Sequence, residues 1–424
     1  MATDVDVQYF SHLNGLVLGN NWGDLIRLLD KTLVTGIDFT EITQATIDEQ
    51  GDVHITLYSA HNALLFQIVE LSGFTPDSLN QKYRIKGAPS ATELILKLST
   101  VITEKNVNTK GIGKLASLGY EIIFRDTGDV KRVYRAKNPR AEHPFIRVDE
   151  SLTSPDGTSG VYTSSYAKSA MVGLLENMTH IDDYENPEIL QLPYDPNNPA
   201  KNWKITGTGA SVVRGWSRWY WAKAWGSLPD NSIPATLGRQ FTICGDFDAF
   251  YILRSIDPSY QSFKTLLGCG LFESSLDKSV IPNWFLITRS LDVSAATPYY
   301  YNDMPDGSPL MRDESFGVFY TPKYSLISQL SETVKSTAIQ PDFMSGYSGK
   351  FSNTQIASMT IPFFDSDAKL RGSLKHICYL GGKINIEHTH AIISSSSMYV
   401  IDTAYTFNNI DRVGAFNFYL GELE

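Results

Sequence analysis

The sequence predicts a mainly β protein, built as two or more sandwich- or barrel-like domains with one short amphipathic helix near the N-terminus. Three observations predict it. Segments with apolar residues at every second position recur along most of the 424 residues, punctuated by Gly, Pro, Asn and Asp. The chain is rich in strand formers, with 22 Tyr and 21 Phe. One segment near the start has a helical period instead.

That segment is Trp22–Leu33. Leu25, Leu28, Leu29 and Leu33 fall on one face, so the spacing predicts about three helical turns. Asn20 or Asn21 is placed to cap it and Gly36 to end it. After it the period becomes two. Strands are predicted at 52–58, 118–125, 130–136, 144–149, 161–172, 240–253 and 264–273. Further strands are predicted at 283–290, 316–320, 355–364, 373–380, 397–407 and 414–420. Asp126-Thr127-Gly128-Asp129 reads as the turn of a hairpin, with Gly128 free to take positive φ. The basic residues that follow, Lys131, Arg132, Arg135 and Lys137, read as a solvated strand face.

At this length two or three domains are expected. Pro187, Pro193, Pro196 and Pro199 mark 186–209 as a connection, since such a run does not form a central strand. It divides an N-terminal β-rich domain, 1–185, from a C-terminal one, 210–424. Loop-rich zones are expected at 293–314 and 338–354.

Composition bounds the function. Hydrophobic residues make up 42% and charged ones 19%, so the chain is globular, with much surface committed to packing or contacts. The net charge of −10 argues against direct nucleic-acid binding over the whole chain, which needs clustered Lys and Arg. The first ten residues, MATDVDVQYF, do not read as a signal peptide, and no apolar run is long enough for a membrane span. Cys244, Cys269 and Cys378 lack the spacing of a disulfide framework or zinc box, and read as buried free thiols made in a reducing cytosol.

Candidate chemistry is sparse. Glu387-His388-Thr389-His390 puts two His on one strand face, but no third ligand is visible, so no metal is expected. Asp246 and Asp248 also share a strand face. They are either an acid/base pair or the polar start of a buried strand. Asp365-Ser366-Asp367 reads as a turn, because the glycine and distal glutamate of a calcium loop are missing. Thr206-Gly207-Thr208-Gly209 lacks the flanking strand and helix of a phosphate loop. No G-x-S-x-G elbow occurs. No cofactor is expected and the chain does not read as an enzyme.

Five of the seven tryptophans fall in one region: Trp203, Trp216, Trp219, Trp221 and Trp225. Rings of this size either fill a β core or anchor a subunit interface. The interface candidates are Trp216, Trp219, Trp221 and Trp225, with Tyr299, Tyr300 and Tyr301 from the loop zone. Arg214 and Arg218 are placed to stack on the tryptophans.

Six stretches together resemble a family of structural proteins of tailed bacteriophages. They are Gly15–Gly36 (GLVLGNNWGDLIRLLDKTLVTG), Gly119–Arg135 (GYEIIFRDTGDVKRVYR), His143–Asp149 (HPFIRVD), Gly173–Asp182 (GLLENMTHID), Gly245–Leu253 (GDFDAFYIL) and Leu370–Leu380 (LRGSLKHICYL). The resemblance does not extend over 391–424. In kind it is nearest to the non-contractile tail sheath of Schitoviridae-like short-tailed phages. It implies a homo-oligomeric ring around the tail tube, contacts with portal or neck proteins, assembly in the host cytoplasm and no catalytic residues. Two other readings remain open: a receptor- or glycan-binding virion module using the aromatic segments, and a hydrolase using Asp246 and Asp248.

Overall fold

The structure is a computed structural model. It describes residues 5–153, 161–207, 212–224, 230–275, 282–290, 317–323, 333–339, 357–381, 389–394, 396–405 and 413–423. It is mainly β, as the alternation predicts, with antiparallel pairing throughout. The largest assembly is a branched 19-stranded sheet. A separate seven-stranded sheet packs beside it.

The large sheet closes the chain on itself. Strand Gln8–Ser11 pairs with Phe241–Gly245, which turns back into Ala249–Ser255 and then Lys264–Leu271. A second branch runs Tyr120–Arg125, Lys131–Ala136, Phe145–Asp149, Lys168–Leu175 and Ser217–Ala222. The two branches meet at Trp284–Ser290, whose first half pairs with Lys264–Leu271 and whose end pairs with Ser217–Ala222. From there the sheet continues through Gly317–Pro322, Thr333–Ala338, Ala357–Asp365 and Leu370–Gly381 to Val413–Glu422.

This topology changes the expected domain boundary. Lys168–Leu175 and Ser217–Ala222 are neighbours, so the described part of the Pro-rich stretch, 186–207, lies between two paired strands of one sheet. Pro193 follows a strand of only two residues, Gln191–Leu192, at the sheet's margin. One apolar core runs from Phe10 to Tyr320 across that stretch.

The seven-stranded sheet, within residues 37–115, is where the sequence said least. Its order starts at Ile37–Asp38 and passes through Ile112–Leu115, Ile68–Ser72, Lys82–Ser90, Glu93–Leu98 and Val53–Leu57 to Ile42–Ile47 at the far edge. Only the strand at 52–58 was predicted. The run 161–172 becomes a strand only from Lys168, and 240–253 is two strands joined by a tight turn.

The helix forms over Asp24–Leu29 and widens into a π turn over Asp30–Thr35, ending at Gly36 with φ of 74°. Leu25, Leu28, Leu29 and Leu33 are buried as the spacing predicts. The cap differs. Gly23 occupies the N-cap position, and the Glu150 carboxylate accepts hydrogen bonds from the Gly23 and Ile26 backbone N–H groups. A buried side chain 124 residues away thus satisfies donors that a local Asn was expected to meet. Asn21 instead has its backbone N–H held by Asp24. The hairpin turn differs too: Asp129, not Gly128, takes positive φ, at 58°.

The N-terminal strand ties the two sheets together. The Gln8 side-chain amide spans both, donating to the Ile68 and Ala116 carbonyls at 2.9 and 2.8 Å and accepting from Ile68 N–H. The buried Arg84 guanidinium donates to the carbonyls of Val7, Phe66 and Leu420 at 2.8–3.0 Å. Among the described residues no helix is long and apolar enough to cross a membrane.

Glu150 makes stability pH-dependent. Burial, the largest influence, raises its carboxyl to about 7 from 4.5, against the lowering pull of the two backbone donors. Between those values the folded chain keeps a proton that the unfolded chain releases. The neutral carboxyl's contribution is therefore complete below about pH 4.5 and falls as pH rises toward 7, by on the order of 3 kcal/mol. Melting temperatures from pH 5 to 8 should show this decline, and Glu150→Gln should flatten it.

Candidate functional site

The turn between Phe241–Gly245 and Ala249–Ser255 brings the two carboxylates singled out in the sequence to one place. Gly245 is needed there because a Cβ would sit 2.1 Å from the Ala249 carbonyl oxygen. Asp246 Oδ1 then accepts from the backbone N–H groups of Asp248 and Ala249, at 2.8 and 3.0 Å, which fixes the turn. Its Oδ2 accepts from His376 Nε2 at 3.0 Å.

Asp248 gathers the rest. Its Oδ1 accepts from Arg140 Nη2 at 2.7 Å and His143 Nε2 at 2.8 Å, and its Oδ2 from Lys375 Nζ at 2.6 Å. His143 Nδ1 accepts from the Arg140 backbone N–H at 2.7 Å, which requires the proton on Nε2, so a neutral His143 is the donor. The hydrogen bonds from His143 and Lys375, with the charges of Lys375 and Arg140, outweigh burial and hold the Asp248 carboxyl well below the usual range. Asp246 is held low in the same way, chiefly by His376 against burial. Nearby Tyr120 and Tyr251 are driven far above their ordinary values, first by burial, with Asp246 adding to both.

Both acids are therefore ionised at neutral pH with their oxygens engaged. A general acid must hold a transferable proton and a nucleophile needs a free lone pair aimed at substrate. In this arrangement neither acid holds a transferable proton at neutral pH, and every carboxylate oxygen already accepts at least one hydrogen bond. What it does is join three parts of the chain: the loop at 140–143, the turn at 246–248 and the strand Leu370–Gly381.

Three further charge clusters link distant segments, one of them fully buried and two partly exposed. Asp30, on the helical segment, accepts from Arg125, Arg132 and Tyr134 of the hairpin. Arg132 is buried, so the basic face expected to be solvated is partly turned inward to meet that acid. Asp182 accepts from Lys131 and Arg147 at 2.8 and 2.6 Å. Lys264 and Asp402, both without solvent exposure, pair directly, and Thr242 donates to the same carboxylate.

The tryptophans are placed mainly by the core. Trp219 and Trp221 are fully buried within the subunit, against Phe250 and Trp22 respectively, so these two rings are not interface anchors or an exposed platform. Strand Ser217–Ala222 is central, with neighbours on both sides, and is buried at every position. Trp203 is buried too, with Arg147 4.4 Å over its ring. Trp216 is half-buried under Lys201. Trp225, Tyr299, Tyr300 and Tyr301 lie outside the described residues. Arg214 stacks on Trp22 and Tyr162, not on the neighbouring tryptophans, and Arg218 reaches Tyr220 and Asp230.

Cys244 and Cys269 are buried and Cys378 is half-buried, and burial raises all three thiols. Glu387 and His388 lie outside the described residues, and His390 is exposed on strand His390–Ser394. Among the described residues no group of three His, Cys, Asp or Glu is placed to hold a metal. Asp365 forms the expected turn, accepting from the backbone of Asp367 and Lys369.

Two surface features were missed by sequence reasoning: a polar groove on the seven-stranded sheet, and exposed aliphatic side chains on two adjoining loops. Leu13, Val17, Ile233 and Leu237 on these loops are exposed by 41, 72, 69 and 69%. The loops are laced by Arg239 N–H to Leu18 O and by the Asn20 side chain to Pro234 O.

No protein-family model and no curated protein matches the chain. Among solved structures, one match is phage phi92 endosialidase, at 10% identity over 92% of this chain and with a TM-score of 0.15. The alignment spans 51% of that protein, about half its length. A score this low carries no statement about shared fold or activity.

The clamp has a measurable worth. Asp248→Asn leaves the Lys375 ammonium without its carboxylate and should cost about 1–3 kcal/mol of stability in urea unfolding. Trp219→Ala, which removes a fully buried ring, should cost about 3–5 kcal/mol.

Proposed function

We propose that this chain is a structural subunit of a bacteriophage tail, packing as a homo-oligomeric ring or sheath around the tail tube near the portal. The observation that carries the reading is where the six phage-like stretches go. Gly15–Gly36 supplies Asp30 and the Glu150-capped turn. Gly119–Arg135 supplies Arg125, Lys131, Arg132 and Tyr134. His143–Asp149 supplies His143 and Arg147, and Gly173–Asp182 supplies Asp182. Gly245–Leu253 supplies Asp246 and Asp248, and Leu370–Leu380 supplies Lys375 and His376. What the stretches share is framework. Every one contributes to a charge cluster or hydrogen-bonded cap that links distant segments, as suits a protein whose task is to hold shape under load.

In this reading the chain does no chemistry of its own. Its partners are further copies of itself, the tube and the portal or neck proteins, and it resides in the virion tail after assembly in the host cytoplasm. The subunit contact belongs to the patch of Leu13, Val17, Ile233 and Leu237, since clustered exposed aliphatic side chains mark association surfaces. A ring closes through a heterologous contact, in which this patch meets a different face of the next copy.

Light scattering with negative-stain imaging of the purified protein tests the proposal. Closed rings of fixed order are expected. A wild-type protein that stays monomeric at high concentration and does not join tail tubes would overturn it. The double variant Val17→Asp, Leu237→Asp should dissociate the rings with little change in melting temperature, because both positions are already in solvent.

A further inference from the structure

The outer face of the seven-stranded sheet carries a groove of about 200 Å³ near its free edge. Register builds it. Strand Ile42–Ile47 is the edge, Val53–Leu57 lies next to it, and Glu93–Leu98 follows. Gln44 stands opposite Thr56, and Thr56 opposite Glu93. Two residues along, Thr46 stands opposite His54, and His54 opposite Ile95. These are two parallel rows of three side chains on one face, spanning about 10 Å across the strands. Beyond them Lys82–Ser90 bulges: Gly87 adds no side chain opposite Ile95, and Pro89 forms the wall.

The side chains of Gln44, Thr46, Thr56 and Glu93 make no hydrogen bond within the chain. His54 Nε2 is held by Asp48 at 2.9 Å, which orients the ring and leaves Nδ1 for the groove. The site thus offers an amide, two hydroxyls, an imidazole and a carboxylate, all mounted on paired strands, with an aliphatic patch from Ile95 and Pro89. The volume is below the roughly 300–1,000 Å³ of drug-sized sites, so it takes one ring-sized unit.

We propose that this groove binds one uncharged sugar residue of a glycan. A pyranose has hydroxyls around its rim to meet alternating donors and acceptors, and a C–H face to lie on Ile95 and Pro89. Glu93 accepts from a pair of sugar hydroxyls, while Gln44 both donates and accepts. The charge selects against acidic sugars: Glu93 and Asp48 are negative, and Lys86, on the neighbouring strand, is paired with Asp52. An extended peptide adding to the free edge would use the backbone of Ile42–Ile47 instead, and would not need the rows.

The site goes beyond the subunit role and is tested independently of it. Saturation-transfer NMR on the full-length protein, with maltose, lactose, cellobiose and mannobiose as probes, reads binding directly. At least one should bind with a dissociation constant of about 1 mM, and Gln44→Ala with Glu93→Gln should weaken it about tenfold or more. Both positions are exposed, so the melting temperature should hold. No transfer to any of the four sugars, equal binding by the variant, or preference for sialyllactose over the neutral probes would overturn the proposal.

Discussion

A carboxylate removed from water must be surrounded by donors, and Asp248 meets that demand with groups from two distant parts of the chain. Lys375 meets the Arg140–His143 loop through it. The same constraint recurs in full at Asp402 and in part at Asp30. Apolar packing alone tolerates many arrangements of strands, because one aliphatic contact substitutes for another. A buried ion tolerates few. The charge clusters thus select one arrangement of a large, branched sheet whose apolar faces would otherwise fit in several ways.

The regular parts of this fold were legible because a local pattern writes them. The leucines of the helix, the hairpin at 126–129 and most strands of the large sheet follow from period and turn chemistry. The seven-stranded sheet was not legible. Its strands carry polar residues on the solvent face, as at Gln44 and Thr46, and lack the dense apolar alternation that draws attention. The helix cap was missed because its acceptor, Glu150, is remote in sequence. Position decided the tryptophans as well: Ser217–Ala222 has neighbours on both sides, and nothing in its composition says so. Asp246 and Asp248 were found by type and spacing. Their role depended on which cations the fold would bring to them, and sequence spacing holds no record of that.

The molecule divides its labour between interior and surface. The interior holds the aromatic mass and the clamps, and is therefore rigid. The surface presents two features that the interior does not require, an apolar patch on laced loops and a polar grid near a sheet edge. They lie on different elements and have opposite chemistry. The proposed subunit contact and the proposed sugar site therefore do not compete for the same surface.

Arg84 donates to the Leu420 carbonyl, 336 residues further along. During synthesis at roughly 5–20 residues per second, the guanidinium waits about 17–67 s for that acceptor to be made. Until then the seven-stranded sheet stands beside an unfinished partner, with a cation at the seam still in water. Residues 37–115 pair only among themselves and can form on the ribosome, but the junction locks only when nearly all of the described chain has emerged. The nascent protein thus carries a built-in delay before its two sheets become one body, and a chain cut short before Leu420 would leave that cation without its last acceptor.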